Sequence, residues 1–167
     1  RPASIVRELV DNSIDAGSTH ISVELIEGGI DHIIVVDDGR GIRSTDLPLC
    51  AHSHATSKVS KLEDLESLTT MGFRGEALYS IAAGAELTIR STRNGEIGSH
   101  IVFDNGTVGE VVIGGPDKGT VIEVKNLFAQ IPARRTFLKT AATEAKMAKV
   151  ALIEKAIAFP HIAFQMY

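Results

Sequence analysis

The chain contains a single cysteine, Cys50, among its 167 residues. One cysteine excludes an internal disulfide and a metal site built from several cysteines, and it is compatible with a reducing compartment. The sequence also lacks an apolar run of the roughly 18 residues that a membrane span requires, and it lacks the charged start and apolar core of a signal peptide. We therefore expect a protein of the cytoplasm, or of the nucleus in a eukaryote, with no membrane partner.

An excess of positive charge is lacking as well. The formal net charge is −4, so the chain as a whole has no electrostatic attraction to nucleic acid, although DNA remains a candidate partner of a larger assembly. The hydrophobic share of 44% and the charged share of 23% are ordinary for a globular protein. Because Arg1 and Pro2 stand directly before a helical pattern without an initiator methionine, we expect a single domain, residues 1–167, truncated at both ends.

The apolar pattern predicts helices and short strands. A helix begins at Pro2 and ends before Gly17. The other predicted elements are strands at 21–25 and 33–36, a helix at 76–83, strands at 87–89, 101–103, 111–113 and 122–124, a helix at 143–158 with Met147, Val150 and Ile153 or Ile157 on one side, and a strand at 162–166. The strands of the second half predict a largely antiparallel meander. The polar connection 45–71 is typical of a functional lid, with a short helix around 62–68.

The first helix carries three polar residues along one edge. At about 100° per residue, Glu8, Asn12 and Asp15 fall in one narrow sector beside the apolar stripe of Ile5 and Leu9. A carboxylate in this position can act as a general base for water, and an amide oxygen suits Mg²⁺, which keeps several of its own waters. Glu8 and Asn12 are therefore candidates for a base and a magnesium ligand, while the same spacing also fits a partly buried polar edge of an ordinary helix.

A second motif, Asp37-Asp38-Gly39-Arg40-Gly41, follows a predicted strand. A carboxylate at a strand end can accept a hydrogen bond from the exocyclic amine of adenine, which guanine lacks at that position. Glycines allow the backbone to approach a ring closely and tolerate positive φ. The alternative is a plain tight turn, since Asp and Gly are common turn residues.

A third motif, Gly72-Phe73-Arg74-Gly75-Glu76-Ala77-Leu78, precedes and opens a predicted helix. Free backbone N–H groups and the positive end of a helix dipole attract an anion such as phosphate. The segment matches neither the G-x-x-x-x-G-K-[ST] phosphate loop nor the dinucleotide G-x-G-x-x-G pattern. Together the three motifs predict an ATP site, whereas each alone also fits an ordinary turn or loop.

Two further polar stretches have less specific interpretations. His52 and His54 stand near Thr56, Ser57 and Lys58 in the predicted lid. We favour phosphate contacts by these last three residues over a metal site, because no third ligand accompanies the histidines. The basic stretch 132–139 is explained by a solvated helix face and is not assigned to DNA.

In this order, the motifs resemble the N-terminal ATPase domain of the MutL family of DNA mismatch repair proteins. That family lies in the superfamily of gyrase, the ninety-kilodalton heat-shock chaperone and histidine kinases. The superfamily shares the helix with Glu8 and Asn12, the turn at 37–41 and the glycine-rich segment. The stretches more specific to MutL are R-P-A-S-I-V-R-E-L-V at 1–10, H-A-T-S-K at 54–58, G-F-R-G-E-A-L at 72–78 and P-A-R-R-x-F-L at 132–138.

The resemblance implies a fold and a set of site residues. The fold is an α/β (α+β) two-layer sandwich of the Bergerat type, in which a mixed, largely antiparallel sheet carries helices on one face. Glu8 is the implied catalytic base, Asn12 the implied Mg²⁺ ligand and Asp37 the implied reader of adenine, while Asp15 braces the helix. The other implied ATP-binding residues are Gly39, Gly41, Thr56, Ser57, Lys58, Gly72, Phe73, Arg74, Gly75, Glu76, Ala77, Leu78 and Thr120, the last supporting the adenine pocket through water.

The resemblance also implies an activity and partners. In the family, Mg²⁺-dependent ATP hydrolysis drives a clamp that closes as a homodimer or a paralogue heterodimer, and a mismatch-recognition protein of the MutS family is a partner. A lysine of a following domain reaches the γ-phosphate, and we expect this chain to lack that domain and to hydrolyse ATP weakly. Asp38 stands where the family usually has Asn, and Ser53 where it usually has Arg.

Two other functions stay open at this point. One is an ATP-sensing interaction module with little turnover, against which Glu8 argues because a sensor needs no base. The other is a gyrase-type or chaperone-type ATPase, which should lack the stretches at 54–58 and 132–138.

Overall fold

The computed structural model describes residues 1–52 and 75–167. Four α-helices lie in these ranges: α1 (Pro2–Asp15), α2 (Gly75–Ala82), α3 (Pro132–Arg135) and α4 (Ala141–Ala158). The strands are β1 (His20–Ile26), β2 (His32–Asp37), β3 (Glu86–Thr92), β4 (Ser99–Asp104), β5 (Thr107–Val108), β6 (Val112–Ile113), β7 (Gly119–Lys125) and β8 (Ala163–Met166). Short 3₁₀ turns occupy Glu27–Gly29 and Leu47–Leu49. No helix in the described ranges is long and apolar enough to cross a membrane.

The strands form one sheet in the order β5-β4-β3-β7-β2-β1-β8, and β6 also pairs with β4. All pairs are antiparallel except β1 and β8, which run parallel. In the register of β2 and β7, Asp37 lies opposite Thr120. Thr120 in turn lies opposite Ser91 of β3. The inner strands thus bring three polar residues from distant parts of the sequence into one row.

The main core lies between one face of the sheet and the helices. Along β2, β3 and β4 alternate residues are buried, because successive side chains of a strand point to opposite faces. The residues that face the helices from the sheet include Ile21, Val23, Ile33, Val35, Leu87, Ile89, Ile101, Phe103, Ile122 and Val124. They pack with the buried face of α1. This arrangement confirms the predicted mixed, largely antiparallel sheet with helices on one face.

Helix α1 is held from two directions. Its residues Ile5, Val6, Leu9 and Val10 are buried in the core. On its flank, Arg7 pairs with Glu154 of α4 at 2.8 Å, and Lys155 of α4 pairs with Asp11 at 2.5 Å. At 3.6 residues per turn, Glu8 and Asn12 lie on the edge of α1 away from these ion pairs.

Two details go beyond the sequence prediction. The second half is not a simple meander, because β7 crosses over to pair with β2 and β3 and so joins the two halves of the sheet. In α4 the buried residues are Glu144, Ala148, Ala151 and Leu152, while Val150, Ile153 and Ile157 are exposed. Small alanines allow α4 to approach α1 closely, so the bulkier apolar side is left outside. The predicted lid helix lies outside the described residues.

Candidate functional site

A buried carboxylate stands at the end of β2. Asp37 is only 7% exposed and its side chain lies on the helix-facing side of the sheet. Its Oδ2 accepts a hydrogen bond from the Ser13 hydroxyl of α1 at 2.8 Å, and its Oδ1 accepts one from the Gly39 N–H at 2.9 Å. Burial raises the pKa of Asp37 above its ordinary value, and the charge of Asp38 adds to this, although hydrogen bonds from Ser13, Gly39 and Ser18 oppose the rise. The buried carboxylate of Asp37 thus lies where the sheet and α1 meet.

The glycine turn after Asp37 is enclosed on two sides. The backbone of Arg40 donates to the Ala16 carbonyl at 3.0 Å, and its guanidinium donates to the Asp15 carbonyl at 2.9 Å. Gly41 has φ +72°, and a Cβ there would lie 2.6 Å from the Thr92 carbonyl carbon at the end of β3. A side chain at this position would push the turn away from β3. The turn therefore depends on glycine both for its conformation and for its close approach.

Thr120 lies beside Asp37 in the neighbouring strand and is 4% exposed. The residue before it, Gly119, has φ +78°, and a Cβ there would lie 2.8 Å from the carbonyl carbon of Asp37. Such a contact is far closer than van der Waals distance, so the two strand ends could not keep their spacing. We name the group of Asp37, Gly39, Gly41 and Thr120 the base pocket, after the role predicted for these residues.

Glu8 and Asn12 lie half-buried on the open edge of α1. Asn12 directly precedes Ser13, the residue that contacts Asp37, and Glu8 lies about one turn earlier. Neither side chain makes a hydrogen bond or ion pair to another described residue, so their oxygen atoms are available to a ligand. Asp15, by contrast, is exposed near the end of the helix.

Part of the predicted phosphate region is described. Gly75 is the first residue of α2, Ala77 is half-buried and Leu78 is 8% exposed in the core. The residues that lie outside the described part are Ser53, His54, Thr56, Ser57, Lys58, Gly72, Phe73 and Arg74. Among residues 1–52 and 75–167, no group of three His, Cys, Asp or Glu side chains is arranged to hold a metal ion.

Three polar residues of this region were given no role by the sequence reasoning. Ser13 and Ser91 are 2% and 1% exposed, and both make hydrogen bonds at the base pocket. Ser13 falls on the buried face of α1, and Ser91 takes the next inward position after Leu87 and Ile89. A polar residue at a position that the periodicity assigns to the core was the available signal.

Asp38 is the third residue, which was noted as a departure from the MutL pattern but given no role. Its carboxylate accepts hydrogen bonds from the N–H of Thr19 at 2.7 Å, from the Thr19 hydroxyl at 2.6 Å and from the N–H of His20 at 2.9 Å. Burial alone would raise the pKa of Asp38, but these hydrogen bonds outweigh it and hold the pKa well below its usual range. Asp38 therefore ties the start of β1 to the end of β2, and this substitution relative to the MutL pattern has a structural role.

A mixed sheet with helices on one face, and a buried carboxylate at a strand end beside a polar helix edge, define the class of Bergerat-type ATPase domains. Sequence comparison agrees with this class. The model of the family described as histidine kinase-, DNA gyrase B-, and HSP90-like ATPase matches residues 1–112. The chain belongs to this family.

Within this family, individual relatives show that the chain is similar to MutL. The chain is 47% identical over 167 residues to the DNA mismatch repair protein MutL of Desulforamulus reducens. The aligned region covers 99% of this chain and 26% of that protein. It is 45% identical to MutL of Halobacterium salinarum, with the same coverage of 99% and 26%. The chain therefore spans about a quarter of the length of these curated relatives.

A solved structure gives the same result. The Aquifex aeolicus MutL ATPase domain, complexed with ADP, superposes with a TM-score of 0.77 at 31% identity, and the match covers 100% of this chain and 59% of that one. The resemblance to the ATPase domain of the MutL family is thus confirmed, as is the assignment to an ATPase class.

Proposed function

We propose that this chain binds ATP with Mg²⁺ and hydrolyses it, as the nucleotide-driven part of a DNA mismatch repair protein. The observation that carries the proposal is the buried Asp37 at the end of β2. An ionised carboxylate offers about four lone-pair sites, and Ser13 and Gly39 each donate to one of its oxygen atoms. The remaining acceptor capacity suits the exocyclic amine of adenine. Guanine presents a carbonyl oxygen instead, which the carboxylate would repel.

Hydrolysis is assigned to the open edge of α1. Glu8 is the proposed general base, because its half-buried carboxylate has no partner among the described residues and can polarise an attacking water. Asn12 is the proposed Mg²⁺ ligand, and its amide oxygen is available in the same way. Since no cluster of three ligating side chains occurs in the described residues, phosphate oxygens and water would complete the coordination, as Mg²⁺ prefers. The ion neutralises phosphate charge when bound.

The phosphates are assigned to the start of α2 and the segment before it. Backbone N–H groups at a helix N-terminus favour an anion, and Gly75 begins α2. We propose that residues 72–78 wrap the phosphates and that Thr56, Ser57 and Lys58 contact them from a lid. The similar Aquifex aeolicus domain is complexed with ADP, which supports nucleotide binding by this chain.

The wider role is proposed from the names of the relatives, of which this chain spans about a quarter. We propose that residues 1–167 form one ATP-binding domain of a longer protein. Closure of the lid over ATP would favour pairing with a second copy or a paralogue, and hydrolysis would release it. A MutS-family protein and DNA are the proposed partners of the whole protein, in the cytoplasm or, in a eukaryote, the nucleus. If the mass of the whole protein in solution does not change when ATP is added, the proposed pairing is contradicted.

Calorimetric titration with Mg-ATP and Mg-GTP tests the binding site. The wild-type chain should prefer ATP, and Asp37→Asn should weaken ATP binding by at least about tenfold, since an amide offers fewer acceptor sites than a carboxylate. Asp31→Asn is the matched control, because Asp31 is exposed just before the other end of β2. An Asp37→Asn variant that keeps wild-type affinity and preference would refute the proposal.

A second experiment separates an ATPase from an ATP sensor. In a protein that includes the following domain, Glu8→Ala should abolish turnover and spare binding, whereas Glu24→Ala, at an exposed position of β1, should change neither. Equal turnover in the Glu8→Ala variant and the wild type would contradict the role of Glu8 as the base, and turnover that is equally low in both would favour the sensing module.

A further inference from the structure

We propose that Ser91 is a positioning residue of the base pocket: its hydroxyl holds the glycine turn and Thr120 in place and thereby sets the preference for adenine. This inference rests on the proposed function, since it concerns the same pocket. Ser91 contributes no atom to the pocket itself. It acts through the Thr120 hydroxyl, which belongs to the pocket, and through Ile42, which directly follows the glycine turn.

The Ser91 side chain lies where three segments of the chain meet. Its Oγ is 2.8 Å from the N–H of Ile42, 2.9 Å from the Thr120 hydroxyl and 3.0 Å from the carbonyl oxygen of Gly119. Ile42 directly follows the turn at Gly39 and Gly41. One buried hydroxyl therefore connects the turn, the last part of β3 and the start of β7.

The Ser91 hydroxyl can donate only one of these hydrogen bonds. A serine hydroxyl has one proton to donate and two lone pairs. One lone pair accepts from the Ile42 N–H. If the proton goes to the Gly119 carbonyl, the Thr120 hydroxyl donates to Ser91; if it goes to Thr120, the proton of Thr120 is free for a ligand or a water. In either arrangement Ser91 limits how the Thr120 hydroxyl can be oriented.

Removal of the Ser91 hydroxyl should alter the base pocket and spare the phosphate region. In Ser91→Ala the Ile42 N–H loses its acceptor, and a buried group without a partner is costly, so the turn would shift or admit water. The Thr120 hydroxyl would also become free to rotate. Both changes alter the pocket around the base and leave the phosphate region at the start of α2 untouched.

The test compares three ligands with the whole chain: Mg-ATP, Mg-ITP, whose base lacks the exocyclic amine, and inorganic triphosphate, which lacks a base. For Ser91→Ala we expect affinity for ATP to fall by about tenfold, as for one lost buried hydrogen bond. The ratio of ATP to ITP affinity should fall toward one, and binding of triphosphate should stay unchanged. A purely structural loss would instead weaken all three ligands together.

Ser99→Ala is the matched control. Ser99 is 5% exposed and lies directly opposite Ser91 in β4, but its hydroxyl has no hydrogen bond to the other described residues. It should leave all three affinities unchanged. If Ser91→Ala does not fold, Ser91→Cys, with a similar size and a weaker donor and acceptor, gives the same test.

The outcomes are distinct. A lowered ATP to ITP ratio with unchanged triphosphate binding supports the inference. An unchanged ratio, or an equal loss for all three ligands, overturns it and leaves the proposed function intact. A wild-type chain that binds triphosphate but does not prefer ATP over ITP, or that binds no ATP, overturns the proposed function itself.

Discussion

Substitution of Gly119 by alanine should damage both stability and nucleotide binding. Gly119 has φ +78°, and its Cβ would collide with the carbonyl group of Asp37, 2.8 Å from the carbonyl carbon, and would lie 2.8 Å from the Cα of Asp38. Because these are backbone atoms, no side-chain rotation relieves the contact. The end of β2, which carries Asp37, would have to move away from β7.

The magnitude follows from a matched comparison with Gly95. Gly95 has φ +80° and nothing within 4 Å of an added Cβ, so Gly95→Ala bears only the conformational cost of about 1–2 kcal/mol. Gly119→Ala bears the same cost plus about 2 kcal/mol for overpacking. In a chain of this size the difference corresponds to a Tm about 4–8 °C lower than that of Gly95→Ala.

Thermal unfolding followed by circular dichroism measures this difference, and titration with ATP shows whether the displaced Asp37 still binds. We expect Gly95→Ala to bind ATP as the wild type does and Gly119→Ala to bind it at least about tenfold more weakly. Equal Tm values for the two variants would show that the end of β2 moves away from β7 without a loss of stability, and would refute the reasoning.

Three further predictions concern buried groups. Because the pKa of Asp37 is raised in the folded protein, its contribution to stability is fully present below the unfolded value of about 3.9 and declines as pH rises through the folded pKa. The stability of the wild type relative to Asp37→Asn, measured by urea unfolding, should therefore fall with rising pH, and a pH-independent difference would contradict the assigned burial effect. Ser13→Ala removes a hydrogen-bond donor of Asp37 and should lower the free energy of unfolding at pH 7 by about 1.5–3 kcal/mol, whereas Ser4→Ala, at an exposed position of the same helix, should have little effect. Burial raises the pKa of the Cys50 thiol to about 12, so a disulfide reagent at pH 8 should modify it about a thousandfold more slowly than free cysteine; fast labelling of the native chain would show that the thiol is accessible.

The helices and most strands were predictable because their signals are local. The apolar spacing in α1 and the alternation in β1 and β2 depend only on neighbouring residues, so the predicted spans agree closely with the observed ones. The two-residue strand β5 was missed, since Thr107 and Val108 form too short a pattern and pair only through β4. Pairing between distant strands leaves no comparable local trace.

The candidate site was likewise predictable only where its features depend on local sequence. The polar edge of α1 followed from helical geometry, and the carboxylate and glycines at 37–41 followed from residue type. The supporting hydroxyls of Ser13 and Ser91 did not, because a lone serine in a periodic pattern does not reveal its partner. Their roles depend on contacts across 24 and 29 residues of sequence, to Asp37 and Thr120.

The sequence by itself determined the class of this protein and the identity of its principal polar groups, since both are set by short motifs whose chemistry depends on residue type and local spacing. Only the tertiary structure decided that β7 lies between β2 and β3. That placement sets Thr120 beside Asp37 and Ser91 beside Thr120, and it buries all three. Strand order is fixed by how the whole sheet covers its core with α1 and α4, and this is a global property that no single stretch of the chain contains.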